Sequence, residues 1–370
     1  MKVPENFINQ IEPLLPKNLA IEIADYLKTS PFLSEFSVTR NFENQVKYFV
    51  DSKFCIAVPS GTVALYLSLL AMGIGPGKRV AVPNFTMIAT INAIIWCGAE
   101  PIVIDFDETL SLDPTILTND LKLDCLVYVT ANGRWGNLDK IRDFCTNNNV
   151  SLIEDSAHAL GVIKDGNAAG TVGDVGIYSL TPHKIITTGQ GALIVTNEEK
   201  VFSTICRLKD FDRIAPATDI HNGLGFNFKF TDIQSLIGIS QFLTIENRII
   251  RKREIYTKYL TTFIDLGIDI MKIQTNVAID VPWFVDIYLD SAVERDELAL
   301  YLKSKNIGSR KLYPQIVSQK HTQNYLQIKN KVDQEVVSRG LWLPSSLTLQ
   351  DEQIETICNF IKKFLNKKSG

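Results

Sequence analysis

Lys184 ends the stretch Tyr178-Ser179-Leu180-Thr181-Pro182-His183-Lys184 and is followed by Ile-Ile-Thr-Thr-Gly189-Gln190-Gly191-Ala192. One lysine is thereby set in a short loop between two apolar runs. Upstream, Leu152-Ile153-Glu154-Asp155-Ser156-Ala157-His158 is an apolar run that ends in acidic residues. A primary amine and a carboxylate presented this way meet the needs of pyridoxal phosphate (PLP). The amine condenses with the aldehyde, and the carboxylate pairs with the pyridinium nitrogen. The same two residues also read as a solvated loop lysine and a strand-end cap, because loops are generally exposed and polar.

Other polar positions sit where a strand gives way to a loop or a helix. Pro59-Ser60-Gly61-Thr62-Val63 follows the apolar run Cys55–Val58 and opens a helical pattern. Free N–H groups and the dipole at such a helix start favour a phosphate, although Ser60 or Thr62 could simply cap the helix. Gly73, Gly75 and Gly77 suggest a dinucleotide loop, but they come after a helix and read as its stop. His158 lies three residues beyond Asp155, where it could meet the same ligand or be a buried structural histidine. Ser179 could reach a phosphate or satisfy a turn, and Gly189 and Gly191 allow a positive φ or a close backbone approach. Asn227, flanked by aromatics in Gly225-Phe226-Asn227-Phe228-Lys229, could reach a ligand or cap the next helix. Asn132-Gly133-Arg134-Trp135 follows another apolar run and is a candidate substrate loop. Arg134, Lys229, Arg310 and Tyr313 are candidates for substrate contacts that could instead serve at the surface. Asp105 and Asp107, two apart on a strand end, point to opposite faces and do not suggest a metal pair.

The elements that must position these residues follow from the apolar pattern. Strands are predicted at Arg79–Pro83, Pro101–Asp105, Cys125–Val129, Val150–Ile153, Val175–Ser179 and Ala192–Thr196. Helices are predicted between them at Thr62–Met72, Thr86–Cys97 and Leu138–Asn147. Strands buried on both faces and joined by helices imply a mostly parallel sheet in an α/β domain, with the ligand crevice at the strand ends. After Thr231 no Gly or Pro falls between Gly238 and Gly267, which predicts a long helix bridging two domains. A strand at Val281–Leu289, a helix at Ala292–Ser304 and a closing helix at Asp351–Leu365 complete a smaller C-terminal α/β domain. The expected division is 1–249, with an N-terminal helical segment, and 250–370.

Composition narrows the partners. The 370 residues are 45% hydrophobic with a net charge of −3, so nucleic acid is not an expected ligand. None of the six cysteines forms a C-x-x-C pair, and free reduced thiols in a cytoplasmic protein are the reading. The four histidines lack metal-ligand spacing. Met1–Asn6 lacks the layout of a signal peptide, and no apolar run approaches the ~18–20 residues of a membrane span. Lys362-Lys363 and Lys367-Lys368 read as a solvated helix face.

Taken together, Ser60-Gly61-Thr62, Glu154-Asp155-Ser-Ala-His158, Gly173-Asp174-Val-Gly, Ser179, Lys184, Gly189-x-Gly191 and Gly225-x-Asn227 keep one order and spacing. In this the chain resembles the DegT/StrS family of PLP-dependent sugar-nucleotide aminotransferases, of PLP fold type I. The resemblance runs from about Phe42 to the last helix, including Trp342-Leu343-Pro344. It implies a large domain with a seven-stranded, mostly parallel sheet, the cofactor bonded to Lys184 and its ring nitrogen paired with Asp155. It implies a phosphate held by Gly61, Thr62, Val63 and Ser179, with Met87 and His158 near the ring. Asn227 would reach the phosphate of a neighbouring subunit, since the family works as homodimers with shared active sites. The reaction implied moves an amino group from L-glutamate, through pyridoxamine phosphate (PMP), to a nucleotide-linked keto-deoxyhexose in surface-glycan or secondary-metabolite sugar synthesis. A 4-keto group is expected rather than a 3-keto group.

Three positions depart from the family pattern. Met87 stands where an aromatic is usual, Gly-Gln-Gly-Ala replaces Gly-Glu-Gly-Gly after the lysine loop, and Ala131-Asn132 precedes Gly133 in place of His or Tyr. These bear on the substrate more than on the chemistry. Related 3-dehydratases carry His in place of the lysine, which makes His183 notable and dehydration the alternative reaction. A non-catalytic ligand-binding regulator is a third reading, against which the retention of both Asp155 and Lys184 argues.

Overall fold

Successive residues of each central strand face opposite helix layers, and both faces are apolar. Val80, Val82, Cys125 and Val127 pack on one side, while Ala81, Leu126 and Tyr128 pack on the other. This two-sided burial is why these strands read as unbroken apolar runs. The computed structural model describes residues 7–30, 33–215 and 218–368. The reading of Met1–Asn6 lies outside the described residues.

In chain order, α1 (Leu19–Thr29) and α2 (Ser37–Phe49) lead into β1 (Phe54–Val58), α3 (Gly61–Ala71), β2 (Arg79–Pro83), α4 (Ala89–Trp96) and β3 (Glu100–Ile104). Next come β4 (Cys125–Val129), α5 (Leu138–Asn148), β5 (Ser151–Asp155), the hairpin β6 (Ile163–Lys164) and β7 (Asn167–Ala168), β8 (Val175–Ser179), β9 (Ala192–Thr196) and α6 (Glu199–Leu208). The rest comprises α7 (Asp232–Phe242), α8 (Ile245–Asp265), β10 (Asp286–Tyr288), α9 (Ala292–Ser304), β11 (Arg310–Lys311), β12 (Leu326–Ile328), β13 (Gly340–Trp342) and α10 (Asp351–Lys368).

The large sheet has eight strands in the order β1-β9-β8-β5-β4-β2-β3-β12. Only β9 runs against its neighbours, pairing antiparallel with β1 and β8. The sheet is therefore mostly parallel, and the C-terminal ends of β1, β4, β5 and β8 share one edge. The strand beyond the seven expected is β12, which joins β3 in parallel from far along the chain. Its three residues were too few to show a period in the sequence. A second sheet, β10-β13-β11, packs with α8, α9 and α10 around Tyr259, Phe263, Leu298 and Ile357.

The long helix expected after Thr231 is two helices, broken at Leu243 and Thr244. The Thr244 hydroxyl donates to Gln241 O at 3.0 Å and accepts from Arg248 Nε at 3.0 Å. A threonine that bonds its own backbone competes with the helix ladder, so no Gly or Pro is needed for the break. Five of the six cysteines are buried, and all six are free. Among the described residues, no helix is long and apolar enough to cross a membrane.

Candidate active site

The strand ends open into a cavity of about 490 Å³ lined by Ser60, Gly61 and Thr62, by Asp155, His158 and Ser179, by Lys184, and by Met87, Arg310 and Tyr313. Asp155 is the last residue of β5 and is buried there. Its Oδ2 accepts from Thr90 Oγ1 at 2.8 Å, and its Oδ1 accepts from Ala157 N–H at 3.3 Å. Burial raises its pKa, against the pull of Thr90 and Lys184. Thr86 Oγ1 lies 2.9 Å from Thr90 Oγ1. With Thr90 donating to the carboxylate, Thr86 must donate to Thr90, so the two hydroxyls orient Asp155 from the start of α4.

Lys184 sits in a tight turn whose N–H donates to Thr181 O at 3.0 Å. Thr188 N–H returns to Leu180 O at 3.0 Å and closes the loop. Gly191 lies at φ +154, where an added Cβ would stand 2.6 Å from Thr188 Oγ1. A side chain there would force the loop apart. The Lys184 amine opens to the cavity but is otherwise enclosed, and burial pushes it down to about 7. Arg310 pushes the same way and Asp155 opposes them. The shift moves the amine toward the unprotonated form that a general base requires.

His158 is partly buried against Trp283, and desolvation holds it well below the usual imidazole range, with Lys184 and Arg310 adding to the effect. Asn132 N–H donates to its Nδ1 at 3.3 Å, which leaves the ring proton on Nε2. Ser60 caps α3 by accepting from Val63 N–H at 3.3 Å. Val63 itself is one residue behind the cavity wall. A Cβ built at Gly61 would stand 3.8 Å from Ser179 Cβ and Oγ, filling the notch between helix start and strand end. That notch is shaped to take an anion.

Three candidate substrate residues stand outside the cavity. Asn132 is buried and pairs both ways with the backbone of Phe284, donating to its O at 2.9 Å and accepting from its N–H at 3.0 Å. Arg134 is buried against Asp286 at 2.6 Å and donates to Thr275 Oγ1 at 2.9 Å. The Asn132–Arg134 turn thus fastens the C-terminal sheet to the large one and does not line this cavity. Lys229 is held by Asp210 at 2.7 Å. Asn227, bridged to Asp210, is exposed and away from this cavity within the single chain. Arg310 and Tyr313 do line it, with the guanidinium 5.3 Å from the Tyr313 ring.

Sequence reasoning missed Thr86, Thr90, Gln190 and Trp283, all at or next to the cavity. Thr86 and Thr90 are spaced i, i+4 where β2 hands over to α4, a legible sign of two hydroxyls on one face. Trp283 looked like an ordinary apolar strand residue.

Residues 16–362 match the model of the DegT/DnrJ/EryC1/StrS aminotransferase family. A GDP-perosamine synthase of Vibrio cholerae is 30% identical over 96% of this chain and 98% of its own length. A GDP-perosamine synthase of Escherichia coli O157:H7 is 31% identical over 98% of this chain and 100% of its own. Among solved structures, a Streptococcus pneumoniae protein described as a sugar aminotransferase, in its PMP form, superposes with a TM-score of 0.87. It is 21% identical and covers 98% of this chain and 100% of its own.

Proposed function

Because the chain belongs to the DegT/DnrJ/EryC1/StrS aminotransferase family and is a PLP-dependent sugar aminotransferase, we propose that it aminates the 4-keto carbon of a nucleotide-linked deoxyhexose with L-glutamate as donor. One observation carries the reading: the Lys184 amine and the buried Asp155 carboxylate line the same cavity. The two full-length relatives are named for a GDP-linked product, which makes GDP the nucleotide we favour. The product serves surface-glycan or secondary-metabolite sugar synthesis in the cytoplasm.

The residues present fit PLP. A buried acid, a low-pKa amine and an open notch between a helix start and a hydroxyl are its three needs. When bound, PLP supplies a protonated ring that draws electrons from the carbon losing its proton. Asp155 would pair with the ring nitrogen, and Thr90 keeps that carboxylate oriented. Gly61, Thr62, Val63 and Ser179 would hold the phosphate, with Met87 and His158 flanking the ring. Lys184 would take the proton from one carbon and return it to another. Arg310 and Tyr313 would contact the sugar nucleotide, and Asn227 would serve the site of a partner in a homodimer.

His183 lines the same cavity beside Lys184, which keeps the 3-dehydratase as the second reading. Incubation with a GDP-4-keto-deoxyhexose and L-glutamate separates them. Aminosugar and 2-oxoglutarate in equal amounts are expected, and both should vanish in Lys184→Ala. A 3-deoxy ketosugar, or turnover by Lys184→Ala, would overturn the proposal.

A further inference from the structure

One aromatic reaches from the C-terminal half onto the lysine loop. Trp283, only 4% exposed, lies on the stretch leading into β10. Its indole N–H donates to the carbonyl of His183 at 2.7 Å, the residue directly before the lysine. Its ring centre is 4.2 Å from Lys184 Nζ, and the ring stacks on His158 with centroids 3.7 Å apart. The indole is also fixed from behind. Phe284 stacks on it at 3.8 Å, its own N–H donates to Asn132 O at 3.1 Å, and its carbonyl accepts from Lys252 Nζ at 2.8 Å. The two backbone bonds would serve any residue here, so the indole N–H bond to His183 is the tie particular to tryptophan.

We infer that Trp283 is the positioning residue for Lys184: its N–H anchors the loop at His183, and its ring face seats the free amine beside Asp155. The inference rests on Lys184 carrying the proton transfer. A lysine side chain is long and flexible, and on an unanchored loop its amine would sample several rotamers. A desolvated aromatic face attracts the ammonium form and offers the amine one flat wall. The other groups around the amine are Asp155 at the end of β5, His158 beyond it, Arg310 on β11, Tyr313 after it and His183 in the loop. Beyond the lysine, Arg248 donates to Ile185 O at 3.1 Å and Gln241 pairs with the backbone of Thr187, while Trp283 holds the side before it and also touches the amine.

The test is hydrogen exchange read by mass spectrometry on protein loaded with PMP, the form in which Lys184 is free, together with steady-state kinetics. Trp283→Phe keeps an aromatic face and loses the N–H; Trp283→Leu loses both. Exchange across residues 182–188 should rise about fivefold or more in Trp283→Phe while β8 and β9 stay protected. In Trp283→Leu, kcat should fall about tenfold with KM changed less than about threefold, and Trp283→Phe should recover part of kcat. Unchanged loop exchange in Trp283→Phe would overturn the inference. So would a rise that spreads equally over β8 and β9, or an unaltered kcat in Trp283→Leu. Exchange is read without substrate, so a failed clamp is distinguished from a failed aminotransferase assignment.

Discussion

Thr90 shows how one hydroxyl can orient a buried carboxylate. Asp155 is buried with Thr90 Oγ1 at 2.8 Å as its shortest partner. Thr90→Val keeps the shape and removes that donor, which should lower kcat on the order of tenfold and the melting temperature by about 2–4 °C. Thr90→Ser should restore most of the rate. Lys252 makes a second case. It is buried, pushed down to about 7 by burial, and donates to the carbonyls of Trp283 and Ser345 at 2.8 and 2.6 Å. A neutral amine has enough N–H groups for both bonds. The unfolded chain binds this proton up to its ordinary pKa near 10.5, so between about pH 7 and 10 unfolding takes up a proton. Stability from this group therefore rises with pH over that window. The stability gap between wild type and Lys252→Met should widen from pH 6.5 to pH 9.5, as measured in denaturant titrations. At this scale the lysine and the aspartate were legible in the sequence because each stands at the end of an apolar run. Thr90 was legible only through its i, i+4 spacing from Thr86, and Lys252 was not, because a single lysine on a helix carries no sign of the partner it meets across the fold.

The elements explain why the turn at Asn132–Arg134 looked like a substrate loop. It follows a parallel strand whose end faces the crevice, which is where substrate loops belong. The structure instead zips this turn to residues 281–284. Val281 N–H donates to Gly133 O at 3.1 Å, and a Cβ at Gly133, where φ is +76, would stand 2.0 Å from Val281 O. Gly133→Ala should cost roughly 3 kcal/mol by strain and overlap together. Gly166 also has a positive φ (+81) but nothing within 4 Å. Gly166→Ala should therefore cost only about 1 kcal/mol, the strain alone. Calorimetric melting of the pair separates the two costs. Strand positions were readable because two-sided burial leaves continuous apolar runs: β2, β4, β8 and β9 fall at their predicted bounds. The junction between sheets was not, since Asn132 and Arg134 meet partners some 140 to 150 residues further along the chain and nothing local marks that meeting.

For the whole molecule, Asn227 lies away from its own chain's cavity, and the homodimer reading assigns it to a partner's site. Mixing Lys184→Ala with Asn227→Asp should then regain activity. Random pairing makes half the dimers hybrid, each with one intact site, for about a quarter of the wild-type rate. No regain in mixed, refolded samples would speak against shared sites. The fold class was legible from alternating strands and helices, but the return of β12 to the large sheet was hidden by its brevity. That return also sets a timetable for biosynthesis. Ile102 on β3 pairs with Leu326 on β12, so roughly two hundred residues of synthesis pass before the pairing can form, on the order of 10–45 s at ribosomal speed. During that interval β3 presents an unpaired, apolar edge to every neighbouring nascent chain. A fragment ending at residue 249 should remain in this state and aggregate in light scattering at concentrations where the full chain does not. The last strand to join thus closes this edge of the sheet only late in synthesis.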